Sequence, residues 1–326
     1  MLSSLSVKDK NELPLVSMIS VFYNRGYCVK ESVQSMLDQT YPNLEIILVD
    51  DESTDNTLEE LRRFEFDSRV KIITHSNKGF TLSLKEAIEE FSNGEFISIH
   101  GSGDISLQDR IFNQIKFLTS FNHYALVACG RAIYRNNIQV LVNKKLEINK
   151  SHLIKLGNNP FSHGEVTFSR KAYNFVGGYR KEFKLAQDYD LWLRINKFYK
   201  LARLESVDYI EYSRGDGVKE SIAKTLKQKK YSHLARVCNE NHYELSTNED
   251  ENFFQLIGNR TVALSFLKTA LYFLSIRKIN FARKFIIQSK EIKTTLVCDL
   301  VNLFLVNKLG MIVLSNAKKI YKITGR

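Results

Sequence analysis

The segment LEIILVDDESTDNT, residues 44–57, decides the fold class of this chain. It begins with a predominantly apolar run, Leu44 to Val49, whose length and composition are typical of a buried β-strand. The run ends at the acidic cluster Asp50, Asp51 and Glu52, and the apolar residues after Thr54 are spaced three apart, which predicts a helix. A buried strand followed directly by an amphipathic helix is the unit from which parallel α/β sheets are built.

The same alternation of strand and helix surrounds this segment. Apolar runs at residues 16–22, 70–74 and 95–99 predict three further strands, and amphipathic patterns at 29–39 and 81–91 predict helices. We therefore expect an α/β domain with a Rossmann-like, mostly parallel sheet. The region that follows, from residue 126 to residue 221, is less regular and is rich in polar and aromatic motifs.

Polar side chains stand at the predicted carboxyl ends of three of these strands. Tyr23 and Asn24 follow the first strand, Asp50 and Asp51 follow the second, and the stretch GSGD, residues 101–104, follows the last. Ligands of open α/β sheets bind at this edge, so the three groups form a candidate ligand site. Each group taken alone is equally compatible with a turn or a helix cap.

The excess positive charge of the chain is confined to its last third. Between Ser221 and Arg326 there are 18 Lys and Arg against 7 Asp and Glu, which accounts for the whole net charge of +11. This shift, together with helical patterning beyond residue 222, predicts two domains. The first comprises residues 1–221, and the second is a basic α-helical domain, residues 222–326.

The basic domain favours an anionic membrane surface as its partner over nucleic acid, because it lacks an aromatic and basic RNA-binding motif. Its most apolar segment, residues 296–314, is atypical of a membrane-spanning helix because four polar residues interrupt it: Asp299, Asn302, Asn307 and Lys308. Two interpretations of this segment stay open, a helix lying in the membrane interface and a helix packed in a protein core.

Cysteine usage is typical of a protein in a reducing compartment, and neither the cysteines nor the histidines have the spacing of a metal site. The four cysteines, Cys28, Cys129, Cys238 and Cys298, lie far apart without metal-ligand spacing. None of the seven histidines belongs to a zinc-like cluster. The first residues lack the apolar core of a signal peptide. We therefore expect reduced thiols and a cytoplasmic location, with peripheral attachment to the inner face of the cytoplasmic membrane as an option.

Four ordered stretches carry a resemblance to a known family. They are VSMISVFYNR at residues 16–25, SMLDQTYPNLEIILVDDESTDNT at 35–57, NKGFTLSLKEAIEEFSNGEFISI at 77–99 and NPFSHGEVTFSRKAYNFVGGYRKEFKLAQDYDLWLRI at 159–195. In this order they resemble the motifs of the inverting glycosyltransferases of family 2, whose catalytic domain has the GT-A fold. The resemblance implies that residues 1–221 form a GT-A domain that uses a nucleotide sugar.

The resemblance implies that the donor binds at the strand ends. Asp51 matches the family's aspartate that recognises the nucleotide base, commonly uracil, and Tyr23 matches the aromatic residue that packs beside that base. The implied donor-binding residues are Val21, Tyr23, Asp50, Asp51, Ser102 and Asp104.

The resemblance also implies roles in the chemistry of transfer. Asp188, in AQDYDLWLR, matches the family's general base, which takes the proton of the acceptor hydroxyl as that hydroxyl attacks the anomeric carbon. Gln187 stands where the family usually has a glutamate. His163 and Glu165 are implied on the acceptor side of the site, and Arg214, in SRGDG, stands where many relatives have a histidine near a cation.

The GSGD stretch departs from the family pattern, which usually has D-x-D-D after this strand. Asp104 matches the aspartate that coordinates a divalent cation, Mn²⁺ or Mg²⁺, while two acidic positions are glycine here. One carboxylate, phosphate oxygens and water can still complete an oxygen shell for such a cation. Arg214 is the alternative source of positive charge for the leaving diphosphate.

The expected function is inverting transfer of a sugar, most simply from a UDP-linked donor, to a glycan or lipid-linked glycan acceptor in surface polysaccharide synthesis. Two alternatives stay open. One is a non-catalytic scaffold of the same fold that binds nucleotide or glycan, as the departures at GSGD and Gln187 would allow. The other is a sugar nucleotidyltransferase, which would need a glycine-rich loop after the first strand, where the sequence reads FYNRGY.

Overall fold

The predicted alternation of strands and helices is present in the computed structural model, which describes residues 13–135, 138–213 and 222–241. Its first elements are β1 (Val16–Phe22), α1 (Val29–Leu37), β2 (Leu44–Asp50), α2 (Thr57–Arg62), β3 (Val70–Thr74), α3 (Phe80–Glu90) and β4 (Phe96–Ile99). Each of these strands agrees with its apolar run to within one residue. The agreement is close because strands inside a parallel sheet read as continuous apolar runs.

The less regular region forms shorter elements and two long strands. They are β5 (Ile105–Ser106), α4 (Arg110–Ser120), β6 (Tyr124–Arg135), β7 (Ile138–Val142), β8 (Leu146–Ile148), α5 (Leu153–Leu156), β9 (Val166–Ser169), α6 (Arg170–Phe175), α7 (Gln187–Asn196) and β10 (Lys200–Tyr212). Single 3₁₀ turns at Gly26–Cys28 and His163–Glu165 precede α1 and β9.

One sheet connects these strands in the order β3-β2-β1-β4-β9-β6-β10-β5, with β7 paired to β6 and β8 paired to β10. The strands β3, β2, β1 and β4 are parallel, as predicted. Strand β9 runs antiparallel to both β4 and β6, so the second half of the sheet is mixed. Antiparallel neighbours need no crossover helix, which explains why the sequence beyond residue 126 loses the regular alternation.

The core is densest around β1, whose seven residues are all buried. Met18 and Phe22 belong to one apolar cluster with Val33 of α1 and Leu61 of α2. Burial of each large apolar side chain contributes roughly 1.5–3 kcal/mol to stability. The carboxyl ends of β1 and β2 are therefore held on a rigid base.

The chain divides into two compact units, Met1–Gly215 and Asp216–Arg326. The division lies near the boundary at residue 221 that the charge distribution predicts. Of the second unit the structure describes helix α8 (Ile222–Asn241), on which one stripe of helical spacing is buried: Tyr231, Leu234, Ala235 and Cys238. Arg214 and the segment 296–314 lie outside the described residues.

Three of the cysteines, Cys28, Cys129 and Cys238, are buried free thiols. Burial raises the pKa of the Cys129 thiol to about 12, so this group stays protonated and unreactive. Cys298 lies outside the described residues. Within the ranges that the structure describes, every helix is too short or too polar to cross a bilayer.

Candidate active site

A cleft of about 360 Å³ opens at the carboxyl edge of the parallel strands. Its volume is in the range of small-molecule sites. Its lining residues come from the ends of β1 and β2, the loop before α3 and the turn after β4: Val21, Tyr23, Arg25, Asp51, Asn77, Gly79, Phe80 and Ser102. The structure therefore brings together four residues of the predicted donor site, Val21, Tyr23, Asp51 and Ser102.

Asp51 lies at the base of the cleft and is held by the loop before α3. Its Oδ1 accepts hydrogen bonds from the Lys78 backbone N–H and the Ser83 hydroxyl, both at 3.0 Å, and its Oδ2 accepts one from the Gly79 N–H at 3.1 Å. Gly79 has φ +82°, a backbone conformation that favours glycine and presents this N–H to the carboxylate. Because a carboxylate accepts about four hydrogen bonds, Oδ2 retains capacity for one further donor.

Two exposed aromatic rings line the same cleft. Tyr23, directly after β1, is 50% exposed, and Phe80, at the start of α3, is 39% exposed. Asn24 has φ +52° and ties the two strand ends together, because its Oδ1 accepts a hydrogen bond from the Thr54 N–H at 2.8 Å. The rings and the Asp51 carboxylate thus offer two flat apolar surfaces and one hydrogen-bond acceptor, which suits a planar heterocyclic base.

Asp50 is not among the residues that line the cleft, so its role as a donor-binding residue stays a prediction. The side chain is 2% exposed, and its Oδ2 accepts a hydrogen bond from the Ser53 N–H at 3.3 Å. Its position at the end of β2 shapes the turn that follows, while the next residue, Asp51, lines the cleft.

The GSGD stretch forms a tight turn beside the cleft. The Asp104 N–H donates to the Gly101 carbonyl at 2.9 Å, and Gly103 has φ +91°. The Asp104 carboxylate accepts the Tyr209 hydroxyl on Oδ2 at 2.7 Å and the Tyr212 backbone N–H on Oδ1 at 3.0 Å. Burial raises the pKa of Tyr209 well above its usual range, so this hydroxyl remains a donor.

A divalent cation would find a single protein carboxylate at this turn. Among the residues that the structure describes, no three His, Cys, Asp or Glu side chains are grouped as metal ligands. Asp104 therefore fits a cation that takes one carboxylate from the protein and most of its oxygens from phosphate and water, a mode common for Mg²⁺. Arg214, the alternative source of charge, lies outside the described residues.

Asp188 is the second residue of α7 and is partly exposed. Its Oδ2 accepts a hydrogen bond from the Asn159 side-chain amide, and its Oδ1 accepts one from the Tyr189 N–H, both at 2.8 Å. The carboxylate thus lies at the N-terminal end of the helix. Helix α7 is anchored by Asp190, which is fully buried and paired with Arg180 and Arg194.

His163 connects the cleft to the start of α7. Its ring contacts Phe80 edge-on with the ring centroids 5.6 Å apart, and Gln187 Nε2 lies 3.5 Å from His163 Nδ1. Burial lowers the pKa of His163, and the nearby Asp188 carboxylate opposes this shift only in part. A neutral imidazole therefore lies between the proposed donor side, at Phe80, and the carboxylate of Asp188.

Comparison with known proteins shows the family of the chain. A sequence model of glycosyl transferase family 2 matches residues 17–177. The putative glycosyltransferase EpsE of Bacillus subtilis is 32% identical over 189 residues, which cover 56% of this chain and 67% of EpsE. The chain belongs to glycosyl transferase family 2. The Escherichia coli enzyme named UDP-Glc:alpha-D-GlcNAc-diphosphoundecaprenol beta-1,3-glucosyltransferase WfgD is 30% identical over 185 residues, 56% of this chain and 70% of WfgD.

Solved structures confirm the GT-A fold of this family 2 glycosyltransferase. TarS of S. aureus in complex with UDP-GlcNAc matches with a TM-score of 0.57 and 16% identity, covering 83% of this chain and 90% of that one. The mannosyltransferase PcManGT from Pyrobaculum calidifontis, in complex with GDP-Man and Mn²⁺, matches with a TM-score of 0.55 and 15% identity, covering 98% and 89%.

Glu165 forms buried ion pairs in this glycosyltransferase, and its role on the acceptor side stays a prediction. The side chain is fully buried, and its carboxylate forms ion pairs with Arg131 and, at 3.2 Å, with Arg203. It also accepts a hydrogen bond from the Ser162 N–H at 3.0 Å, which closes the 3₁₀ turn His163–Glu165. These contacts indicate that the Glu165 carboxylate contributes to the stability of the fold.

Four residues of the glycosyltransferase cleft carry no site prediction from the sequence: Arg25, Asn77, Gly79 and Phe80. A signal exists for three of them, because NKGF comes shortly after β3, at the edge where the other site residues lie. Arg25 follows β1 directly and adds a cation to the cleft. Asn159, the partner of Asp188, is separated from it by 29 residues, and the sequence gives no indication of this pairing.

Proposed function

We propose that this glycosyltransferase moves a hexose, with inversion, from a nucleoside diphosphate donor to a hydroxyl of a glycan or lipid-linked glycan. The observation that carries the proposal is the Asp51 carboxylate, fixed by three hydrogen bonds at the base of a cleft lined by two aromatic rings. Oδ2 has room for one N–H of a base, as the N3–H of uracil would supply. UDP is therefore the favoured nucleotide.

The catalytic step assigned to Asp188 is proton removal. Its carboxylate takes the proton of the acceptor hydroxyl, the acceptor oxygen bonds to the anomeric carbon from the face opposite the diphosphate, and the carbon–oxygen bond to the diphosphate breaks. The nucleoside diphosphate leaves with the bonding electron pair. Asn159 orients the carboxylate through its hydrogen bond to Oδ2.

The leaving diphosphate requires positive charge. Arg25, which lines the cleft, is placed to supply part of it. Asp104 would hold a bound Mn²⁺ or Mg²⁺, whose chemistry is to neutralise the charge that develops on the leaving group. The relative PcManGT was solved with Mn²⁺, which supports a cation here.

The acceptor and the cellular site are inferred from the relatives and from charge. WfgD, as its name states, acts on a diphosphoundecaprenol-linked sugar, and this favours a lipid-linked acceptor in a capsule or O-antigen type of pathway. The basic residues after Ser221 would attract an anionic membrane surface at about 1 kcal/mol for each residue near it. The enzyme would then work at the cytoplasmic face of the membrane.

A panel of nucleotide sugars tests the donor assignment. We expect a UDP-sugar, at 100 times its dissociation constant, to stabilise the protein by about 2.7 kcal/mol in thermal-shift measurements. Asp51→Asn should remove most of this stabilisation, because an amide presents N–H groups as well as an oxygen to the base and the loop. Stabilisation without turnover on any acceptor would favour the scaffold alternative, and no stabilisation by any nucleotide would contradict the donor site.

Metal removal tests the role of Asp104. We expect EDTA to reduce transfer and Mn²⁺ or Mg²⁺ to restore it, and we expect Asp104→Ala to weaken UDP binding only when the cation is present. Asp109→Ala is a matched control, because it removes a carboxylate from the exposed start of α4. Full transfer activity in EDTA, together with a strong loss of activity in Arg214→Ala, would instead show that the arginine supplies the positive charge for the leaving diphosphate.

A further inference from the structure

The hydroxyl of Tyr209 makes two hydrogen bonds within the GSGD turn. It donates to Asp104 Oδ2 at 2.7 Å and accepts the backbone N–H of Gly101 at 2.9 Å. The Tyr209 side chain is fully buried in β10. Its ring is fixed by the Arg110 guanidinium, 4.9 Å from the ring centroid, and by the edge of His100. A group constrained on this many sides holds its hydroxyl in one place.

Two glycines give this hydroxyl the space that it occupies. A Cβ added at Gly101 would lie 2.4 Å from Asp104 Oδ2 and 3.0 Å from the Tyr209 hydroxyl. A Cβ added at Gly164 would lie 2.2 Å from the same hydroxyl. The separations of 2.4 and 2.2 Å are far below van der Waals contact, so side chains at these two positions are incompatible with the observed arrangement.

Both oxygens of Asp104 are held from one strand. Tyr209 binds Oδ2 through its side chain, and Tyr212, three residues further along β10, binds Oδ1 through its backbone N–H at 3.0 Å. A carboxylate fixed at both oxygens needs little reorganisation when a charged ligand arrives. The single acidic residue of the turn is therefore pre-oriented.

We propose that Tyr209 is a positioning residue that fixes the Asp104 carboxylate for the donor diphosphate, and that Gly101 is required by this arrangement. Gly101 then leaves the space that the Tyr209–Asp104 hydrogen bond occupies. The GSGD turn would bind the diphosphate with one oriented carboxylate in place of a cluster of acidic residues. The inference rests on the proposed role of Asp104 in donor binding.

The primary test measures UDP and GDP affinity by calorimetry, with Mn²⁺ and with EDTA, for Tyr209→Phe. We expect the dissociation constant in Mn²⁺ to rise roughly tenfold, as the loss of a hydrogen bond to a charged group implies, and the value in EDTA to stay unchanged. Tyr41→Phe is the matched control. Its buried hydroxyl donates to the Pro14 carbonyl at 2.6 Å, at the opposite edge of the sheet, so it should alter stability without altering affinity.

A double-mutant cycle separates positioning from general destabilisation. If Tyr209 acts through Asp104, then Tyr209→Phe should weaken binding no further in an Asp104→Asn background. Additive losses, or unchanged affinity in Tyr209→Phe, would overturn the inference. Gly101→Asp restores the family's acidic residue and should weaken binding, whereas tighter binding would show that Gly101 is a lost ligand.

The same measurements distinguish this inference from the proposed function. If the unmodified protein binds neither UDP nor GDP, the donor site itself is wrong. If it binds one of them and Asp104→Asn has no effect, the nucleotide site stands while Asp104, and with it the role of Tyr209, is excluded.

Discussion

Replacing Asp188 with asparagine is expected to abolish sugar transfer while leaving donor binding nearly intact. Asparagine keeps the size of the side chain and its contact with Asn159, but it cannot take the proton of the acceptor hydroxyl. Loss of a general base costs about 10²–10⁴ in rate. Turnover and UDP affinity measured on the same preparation check both halves of the prediction.

The control for this variant is Asp38→Asn, which removes the same charge from the exposed end of α1. It should retain the turnover of the unmodified enzyme. Turnover at that level in Asp188→Asn as well would remove Asp188 from the mechanism, and loss of UDP binding in this variant would show that the carboxylate supports the donor site instead.

Replacing Glu165 with alanine is expected to destabilise the fold by about 3–5 kcal/mol, the usual cost of removing one partner from a buried ion pair. The change removes an ion-pair partner from both Arg131 and Arg203, although Arg131 keeps its ion pair with Glu211 at 3.1 Å. It also opens the 3₁₀ turn His163–Glu165. Chemical denaturation, followed through the whole transition, measures the effect.

Glu59→Ala provides the comparison for this prediction. Glu59 forms an ion pair with Arg63 at 3.3 Å, but both side chains are largely exposed, and exposed pairs contribute little. If Glu165→Ala leaves the denaturation transition unchanged and raises the KM for the acceptor, Glu165 has the predicted role on the acceptor side of the site.

The strands of the first half of the sheet could be predicted from the sequence because their signal is local. Burial between neighbouring strands and covering helices requires unbroken apolar runs, and these runs mark β1 to β4 closely. The ligand edge of the sheet followed from the same reasoning, because the residue after a buried strand in such a sheet lies at that edge, whereas the donor role came from the family resemblance. This reasoning selected Tyr23 and Asp51, and both line the cleft.

The features of the site that the sequence did not indicate concern partners that are distant along the chain. The 34 residues that separate Glu165 from Arg131 contain no local pattern that would announce the pairing. Asp50 and Asp51 are adjacent and chemically identical, and only the three-dimensional path of β2 shows which of them faces the cleft. From the sequence alone, Gly101 indicates only the loss of an acidic residue. The structure adds that its N–H donates to the hydroxyl of Tyr209, which is 108 residues away.

In the proposed mechanism, the loop from Asn77 to Phe80 would contribute to the binding of both substrates. Its backbone N–H groups hold Asp51 on the donor side, and the ring at its end touches His163 on the side of Asp188. A one-residue insertion or deletion here would shift both walls of the cleft together, so the length of this loop is constrained more tightly than its composition. Changes of donor or acceptor preference should therefore be sought by substitution within this loop and not by changing its length.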